Sequence, residues 1–199
     1  MILYYHAGAC SLAVHIALIE AALPYKLVSI DRDKRTEDGR DFMTVNARGY
    51  VPALELDGGV VLTENLAILS YLANQSGRLL PEIGFGRWRT LEALSFMATE
   101  VHASLRTFFK KGSAVELERA RQALQKHFTS LARQLGSKPF LLGDQMTIAD
   151  PYLFWALFWA PRHGLEVPHV LQDYFSRMKE EPAVARALAE EGLAWYEPA

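Results

Sequence analysis

The stretch His6-Ala-Gly-Ala-Cys-Ser-Leu-Ala-Val-His-Ile-Ala-Leu18 holds the only cysteine of the 199-residue chain. The apolar run Met1-Ile-Leu-Tyr-Tyr5 precedes it and suits a buried strand. Gly8 supplies a turn. From Ser11 the positions Leu12, His15, Ile16, Leu18 and Ile19 recur at helical spacing, and the pattern stops before Pro24. Cys10 is thereby expected at a helix N-terminus, where the first backbone amides lack intrahelical partners and favour an anion. A thiol so placed should lose its proton more readily and become a nucleophile near neutral pH. Ser11 can donate a hydrogen bond to the same sulfur. The competing reading is a cysteine packed as a small apolar residue.

Working outward, residues 25–30 alternate as a second strand, and the charged stretch 31–40 is too polar for core. A short helix is expected near 41–45. Gly49-Tyr-Val-Pro-Ala-Leu-Glu-Leu56 reads as a strand opening after a proline, Asp57-Gly-Gly59 as a hairpin turn, and 60–62 as the partner strand. Residues 66–73 form a helix. The order β-α-β-(α)-β-β-α describes a small open α/β unit with a mixed sheet. Beyond it the strands stop. Residues 77–86, rich in glycine and containing Pro81, read as a linker. Trp88, Leu91, Leu94, Ala98, Val101, Leu105 and Phe108 then mark one face of a single helix over 85–109. Leu117, Leu124, Phe128, Leu131 and Leu135 mark a second long helix. A third begins at Thr147-Ile-Ala-Asp150, where the threonine can cap a backbone amide and Asp150 can reach back. Residues 152–160 are apolar nearly all round and are expected at the centre of a bundle. Pro168 and Pro182 introduce two shorter helices. The expected fold is α/β plus all-α, divided as 1–76, a linker 77–86, and 87–199.

Composition narrows the function. Half the residues are apolar, 22% are charged and the net charge is −2, which points to neither nucleic acid nor an anionic membrane as partner. No run has the apolar length of a bilayer span. The first residues lack a basic region and are not expected to be a signal peptide. One unpaired cysteine suits a reducing, cytoplasmic setting. No metal is expected, because the six histidines are scattered and one cysteine is too few for a thiolate zinc site. Gly58-Gly59 is a hairpin turn and not a phosphate loop.

Two further stretches can carry chemistry. Pro52 at the start of a strand has no amide to contribute. A cis bond before it would turn the Val51 N–H and C=O outward to pair with a peptide-like ligand, although most X-Pro bonds are trans. Thr63-Glu64-Asn65 precedes the 66–73 helix. There a bare helix N-terminus can hold a ligand carboxylate while Glu64 meets an ammonium group. An ordinary helix cap explains the same three residues.

The N-terminal half resembles the thioredoxin-like domain of the glutathione S-transferases, most closely their bacterial beta class. The likeness runs through 3–18, Thr36-Glu-Asp-Gly-Arg-Asp41, Asn46-Ala-Arg-Gly-Tyr-Val-Pro-Ala-Leu54 and Leu62-Thr-Glu-Asn-Leu-Ala-Ile68. Gly143-Asp-Gln-Met-Thr-Ile-Ala-Asp150 resembles the segment that opens the family's buried helix. The resemblance implies that Cys10 is the active-site cysteine, able to form a mixed disulfide with glutathione. It places Tyr5 where other classes have a thiol-activating tyrosine, which in the beta class is nearby but not the main player. It also puts Ser11 beside the sulfur, and Val51 ahead of cis Pro52, with its neighbour Tyr50, along the cysteinyl part. Glu64 and Asn65 would hold the γ-glutamyl end, and Lys34 or Arg35 would reach the glycine carboxylate. Asn65 stands where many relatives carry serine or glycine, and it offers both donor and acceptor. His102 would lie near the thiol, although a satisfied interface histidine explains it too. Ala103 replaces a lysine frequent in this class and removes one cation. His15, inside the first helix, reads as structural. The family is dimeric, so a homodimer is implied.

The mechanism so implied is glutathione conjugation to small apolar electrophiles, with Leu105, Phe108 and Phe109 as candidate pocket walls and possible mixed-disulfide chemistry at Cys10. Two alternatives stand beside it. One is a glutathione-dependent thiol-disulfide oxidoreductase attacking through Cys10. The other is a non-catalytic binding protein for glutathione or hydrophobic ligands, since fold does not fix function.

Overall fold

In the computed structural model, described over residues 1–193, the apolar N-terminal run forms strand β1 (Ile2–Tyr5) and the helical pattern after Cys10 forms α1 (Ser11–Glu20). Strand β2 (Lys26–Ser29) follows, then a 3₁₀ turn at Phe42–Thr44, strands β3 (Ala53–Glu55) and β4 (Val61–Thr63), and helix α2 (Asn65–Ser76). The sheet order is β2-β1-β3-β4, with β1 parallel to β2 and antiparallel to β3. In the β3–β4 hairpin Leu54 faces Leu62, one residue along from the expected strand limits. The sheet is mixed, as the residue periods indicate.

Alternation along β1 sorts its side chains between two cores. Tyr4 is buried with Val28, Ile30, Phe42 and Ala53 on one side, while Leu3 joins the larger core built on α1. Every residue from Ser11 to Leu18 is buried, because α1 lies between α2 on one side and the C-terminal helices on the other. The two halves therefore share one continuous core.

That second half holds α3 (Phe85–Phe96), a π-helical turn (Met97–His102), α4 (Ala103–Phe109), α5 (Ala114–Leu135), α6 (Ala149–Trp159), a 3₁₀ turn at Pro161–His163, α7 (His169–Glu180) and α8 (Pro182–Glu190). The single helix expected over 85–109 is thus broken by a wider turn. The correction has a sequence correlate, since Trp88, assigned to the buried face, is 62% exposed. Leu105, a proposed pocket wall, is wholly buried in the core. Residues 194–199 of the expected helical unit lie outside the described residues.

Helix α5 opens on a capping box, with Ser113 and Glu116 each accepting the other's backbone amide. Helix α6 opens on a tighter device. Asp150, fully buried, accepts from the amides of Leu141 and Thr147 at 2.8 Å each, from the Thr147 hydroxyl at 3.0 Å and from the Tyr174 hydroxyl at 2.9 Å. The Thr147 hydroxyl oxygen accepts in turn from the Ala149 amide at 3.3 Å. Burial pushes the Asp150 carboxyl up, and its donors hold it back. Replacing Asp150 with alanine strands several buried donors, each costing about 1–3 kcal/mol. D150A is expected to lower stability by about 3 kcal/mol or more, read as a reduced urea midpoint with an unchanged slope.

Candidate active site

The loop between β1 and α1 is fixed through one residue. Gly8 has φ 72°, and a Cβ there would meet the Trp159 ring at 3.2 Å. Its carbonyl accepts from both the Trp155 and the Trp159 indole, at 3.1 and 2.7 Å, and its amide donates to Glu191 at 2.9 Å. The other Glu191 oxygen lies 3.0 Å from His15 Nδ1, and Glu190 lies 2.9 Å from His15 Nε2. His15 is structural, as the sequence reading has it. Partial burial pushes the Glu190 carboxyl up, but Arg186, Tyr25 and His15 together bring it down to about 2.

Cys10 is the residue before α1 and is half-buried, with its Sγ 3.5 Å from the Val51 carbonyl oxygen. Its thiol contrasts with the expectation of easy ionisation. Burial pushes it up to about 12, against smaller opposing contributions from the Asn65 side chain and the Cys10 and Ser11 amides. The helix terminus is present, but the loss of water outweighs it. The Ser11 hydroxyl does not serve the sulfur either. Fully buried, it accepts from the His6 amide and donates to the His6 carbonyl, both at 3.4 Å. A buried hydroxyl takes the nearest backbone partners.

Tyr5 faces the α8 side of the loop. It packs 6.4 Å from His15 and lines a groove of about 810 Å³ with Tyr25, Glu37, Arg186 and Glu190. Burial and then Glu191, Glu37 and Glu190 push its hydroxyl up.

The loop before β3 is held by Asn46, whose Nδ2 donates to the Tyr50 carbonyl at 2.8 Å and whose Oδ1 accepts from the Arg48 amide at 3.1 Å. The Tyr50 side chain is 63% exposed, and the Val51–Pro52 bond is cis. Lys34 lies alongside Gly49, while the Arg35 guanidinium donates to the Gly39 carbonyl at 3.5 Å.

Glu64 has φ 72° and ψ 126°, a strained conformation for a side-chain-bearing residue that costs on the order of 1–3 kcal/mol. Its exposed carboxylate pairs with Arg48 at 3.1 Å. Asn65, the first residue of α2, is 6% exposed, and its Oδ1 has no hydrogen-bond partner. Such a buried carbonyl lacks a partner that a water or a ligand can supply, as do the Ser70 hydroxyl and His163 Nε2.

In the helical half His102 closes the π-helical turn. Its Nδ1 is 2.7 Å from the Tyr152 hydroxyl, and its ring lies 4.5 Å from that of Trp155. Burial, then Arg106, brings its imidazole down to about 4, so it is neutral at pH 7. Tyr152 was missed in the sequence, where it is one more aromatic in an apolar helix. Burial, and then the Cys10 thiol, push its hydroxyl up, whereas the Asn65 side chain opposes them. Cys10, Asn65, Tyr152 and His102 are therefore one polar group inside an apolar shell. Beside it, Phe109 packs at 5.2 Å from both Trp159 and His163 and forms an aromatic wall.

A family model for the glutathione S-transferase N-terminal domain matches residues 7–75, and one for the C-terminal domain matches 114–190. The chain belongs to the glutathione S-transferase family. Glutathione S-transferase GstA of Escherichia coli O157:H7 is 40% identical over 97% of this chain and 100% of that protein. A sphingomonad glutathione S-transferase complexed with glutathione superposes with a TM-score of 0.90 at 39% identity, covering 98% of this chain and 100% of that one. The bacterial beta-class enzyme of Sphingomonas chungbukensis gives 0.91 at 38%, over 98% and 100%. The transferase is an enzyme of that bacterial beta-class type, with glutathione as co-substrate. Among the described residues no metal-binding cluster occurs, and no helix is long and apolar enough to cross a membrane.

A thiol held at about 12 is almost wholly protonated at pH 8. Cys10 of the ligand-free transferase should therefore alkylate with iodoacetamide roughly a hundredfold or more slower than free cysteine, whose pKa is about 8.5. Its rate should keep rising with pH beyond the point where free cysteine levels off.

Proposed function

We propose that glutathione lies along the Val51 backbone with its γ-glutamyl end at the start of α2 and its sulfur between Cys10 and His102. The observation that carries this reading is the orphaned Asn65 Oδ1, buried beside the Cys10 thiol, which a γ-glutamyl ammonium would satisfy. The amides opening α2 suit the adjoining carboxylate. Glu64, strained and facing Arg48, adds charge at the rim. Tyr50, exposed next to Val51, flanks the ligand, and Lys34 supplies a cation toward the glycine carboxylate. The reaction is attack of the glutathione thiolate on a small apolar electrophile seated against Phe109 and Trp159, in a setting with few competing waters.

Conjugation is favoured over exchange through Cys10, because a thiol pushed up to about 12 is a poor attacking group at neutral pH. The apolar residues exposed at the start of the helical half, Ile83, Phe85 and Trp88, suit a contact between two copies of the chain, and we take the working form to be a cytoplasmic homodimer.

Calorimetric titration with glutathione tests the site. Wild-type protein should bind at micromolar to millimolar concentration, and N65A about tenfold more weakly. Unchanged affinity in N65A would remove Asn65 from the site. In parallel, C10A should keep most conjugation to a chlorinated aromatic while losing any reduction of a small disulfide. Equal loss of both activities would return Cys10 to the conjugation chemistry itself.

A further inference from the structure

Tyr152 is 2% exposed, yet its hydroxyl meets polar groups from both halves of the chain, His102 by a hydrogen bond and the Asn65 side chain near Cys10. Its oxygen is 2.7 Å from His102 Nδ1, and the Asn65 side chain acts on both it and the Cys10 thiol. The ring is held on two sides, by Trp155 at 5.7 Å and by the His102 ring at 6.0 Å, edge-on at 90°. The π-helical turn Met97–His102 ends at His102, on the helix face that meets α6. Turns of this kind are frequent where a side chain must be re-aimed at a functional site. The charged or titratable groups acting on the pair are Cys10 from the start of α1, Glu64 from the start of α2 and Arg106 from α4.

We propose that Tyr152 is a catalytic residue, relaying the glutathione thiol proton to His102. The proposal rests on the sulfur lying at the Cys10 end of the site. In the step the S–H bond breaks and its proton bonds to Tyr152 Oη, while the original Oη–H proton moves to His102 Nδ1. The sulfur keeps the electron pair, the phenol ends neutral, and the imidazole ends as imidazolium, so charge is conserved and nothing is oxidised. The thiolate and the imidazolium form together, so the attraction between them offsets part of the cost of desolvating each. The half-buried imidazole then exchanges its proton with solvent after the thiolate is consumed. A tyrosine suits the role because it gives and takes a proton through one oxygen.

The test uses the glutathione complexes of wild type, Y152F, H102N and the double variant. Difference ultraviolet absorbance follows the bound thiolate against pH, and steady-state kinetics with a chlorinated aromatic follow turnover. Y152F should bind glutathione within about twofold of wild type, because the phenyl ring still fills the space. Its bound thiol should titrate about one unit higher, with kcat down roughly tenfold at neutral pH and recovering as pH rises. The double variant should be no worse than H102N, as two members of one relay are not additive. An unchanged thiol titration in Y152F, with only the KM for the aromatic altered, would overturn the relay and leave Tyr152 as a pocket wall. Additive losses would overturn it too. Failure of wild-type protein to bind glutathione would instead overturn the placement of the ligand, a result read before any variant is compared.

Discussion

Gly8 is the constraint on which the site depends. Both of its polar groups are satisfied from the helical half, the carbonyl by the Trp155 and Trp159 indoles and the amide by Glu191. Cys10 follows two residues later, so the position of its sulfur is set by α6 and by the residue just after α8 as much as by its own strand and helix. Glycine is required here for two reasons. The φ of 72° lies where a side chain is strained, and the Trp159 ring stands 3.2 Å from any added Cβ. A buried amide and carbonyl with charged and indole partners also resist local opening, because releasing them exposes unpaired groups before water can reach them.

Burial that secures this geometry also sets the resting electrostatics. It pushes the Cys10 thiol up to about 12 and the His102 imidazole down to about 4, in both cases toward the neutral form. A helix N-terminus alone would have moved the thiol the other way. The site therefore holds no ionised sulfur or imidazole until a ligand brings compensating partners. Such a site stores no buried charge, which would be costly to maintain in the absence of substrate.

How much of this was legible in the sequence differed by scale. Period changes around the lone cysteine gave the mixed sheet, and the spacing of Leu124, Phe128, Leu131 and Leu135 gave α5, because burial repeats wherever a regular element meets the core. The break at Met97–His102 was not legible. A π turn shifts the phase of the pattern without interrupting its apolar character, and Trp88 lent false support to a single face. The hydrogen bond expected of Ser11 failed for a different reason. A residue type adjacent in sequence to a thiol says nothing about its hydrogen bond, and Ser11 bonds the His6 backbone five residues back. Tyr5 points by strand alternation to the α8 side. Asn65 stands out in the sequence only through its place before an apolar helix. Tyr152 left no signal, since nothing in Pro-Tyr-Leu-Phe-Trp distinguishes a polar tip from its apolar neighbours.

Helix α6 explains why such a tip can be so well placed. Tyr152, Trp155 and Trp159 stand at i, i+3 and i+7, one face of a helix, over a rise of about 10 Å. Asp150 anchors the start of that helix to the Leu141 and Thr147 amides. The two indoles fix it to the loop that carries Cys10, and the tyrosine between them and the anchor meets His102. Any rotation of α6 that moved Tyr152 off the imidazole would also pull both indoles from the Gly8 carbonyl. The capping of one helix, the seating of the cysteine loop and the polar contact at His102 are thus a single mechanical unit. The two halves of the chain are joined through chemistry and not through packing alone.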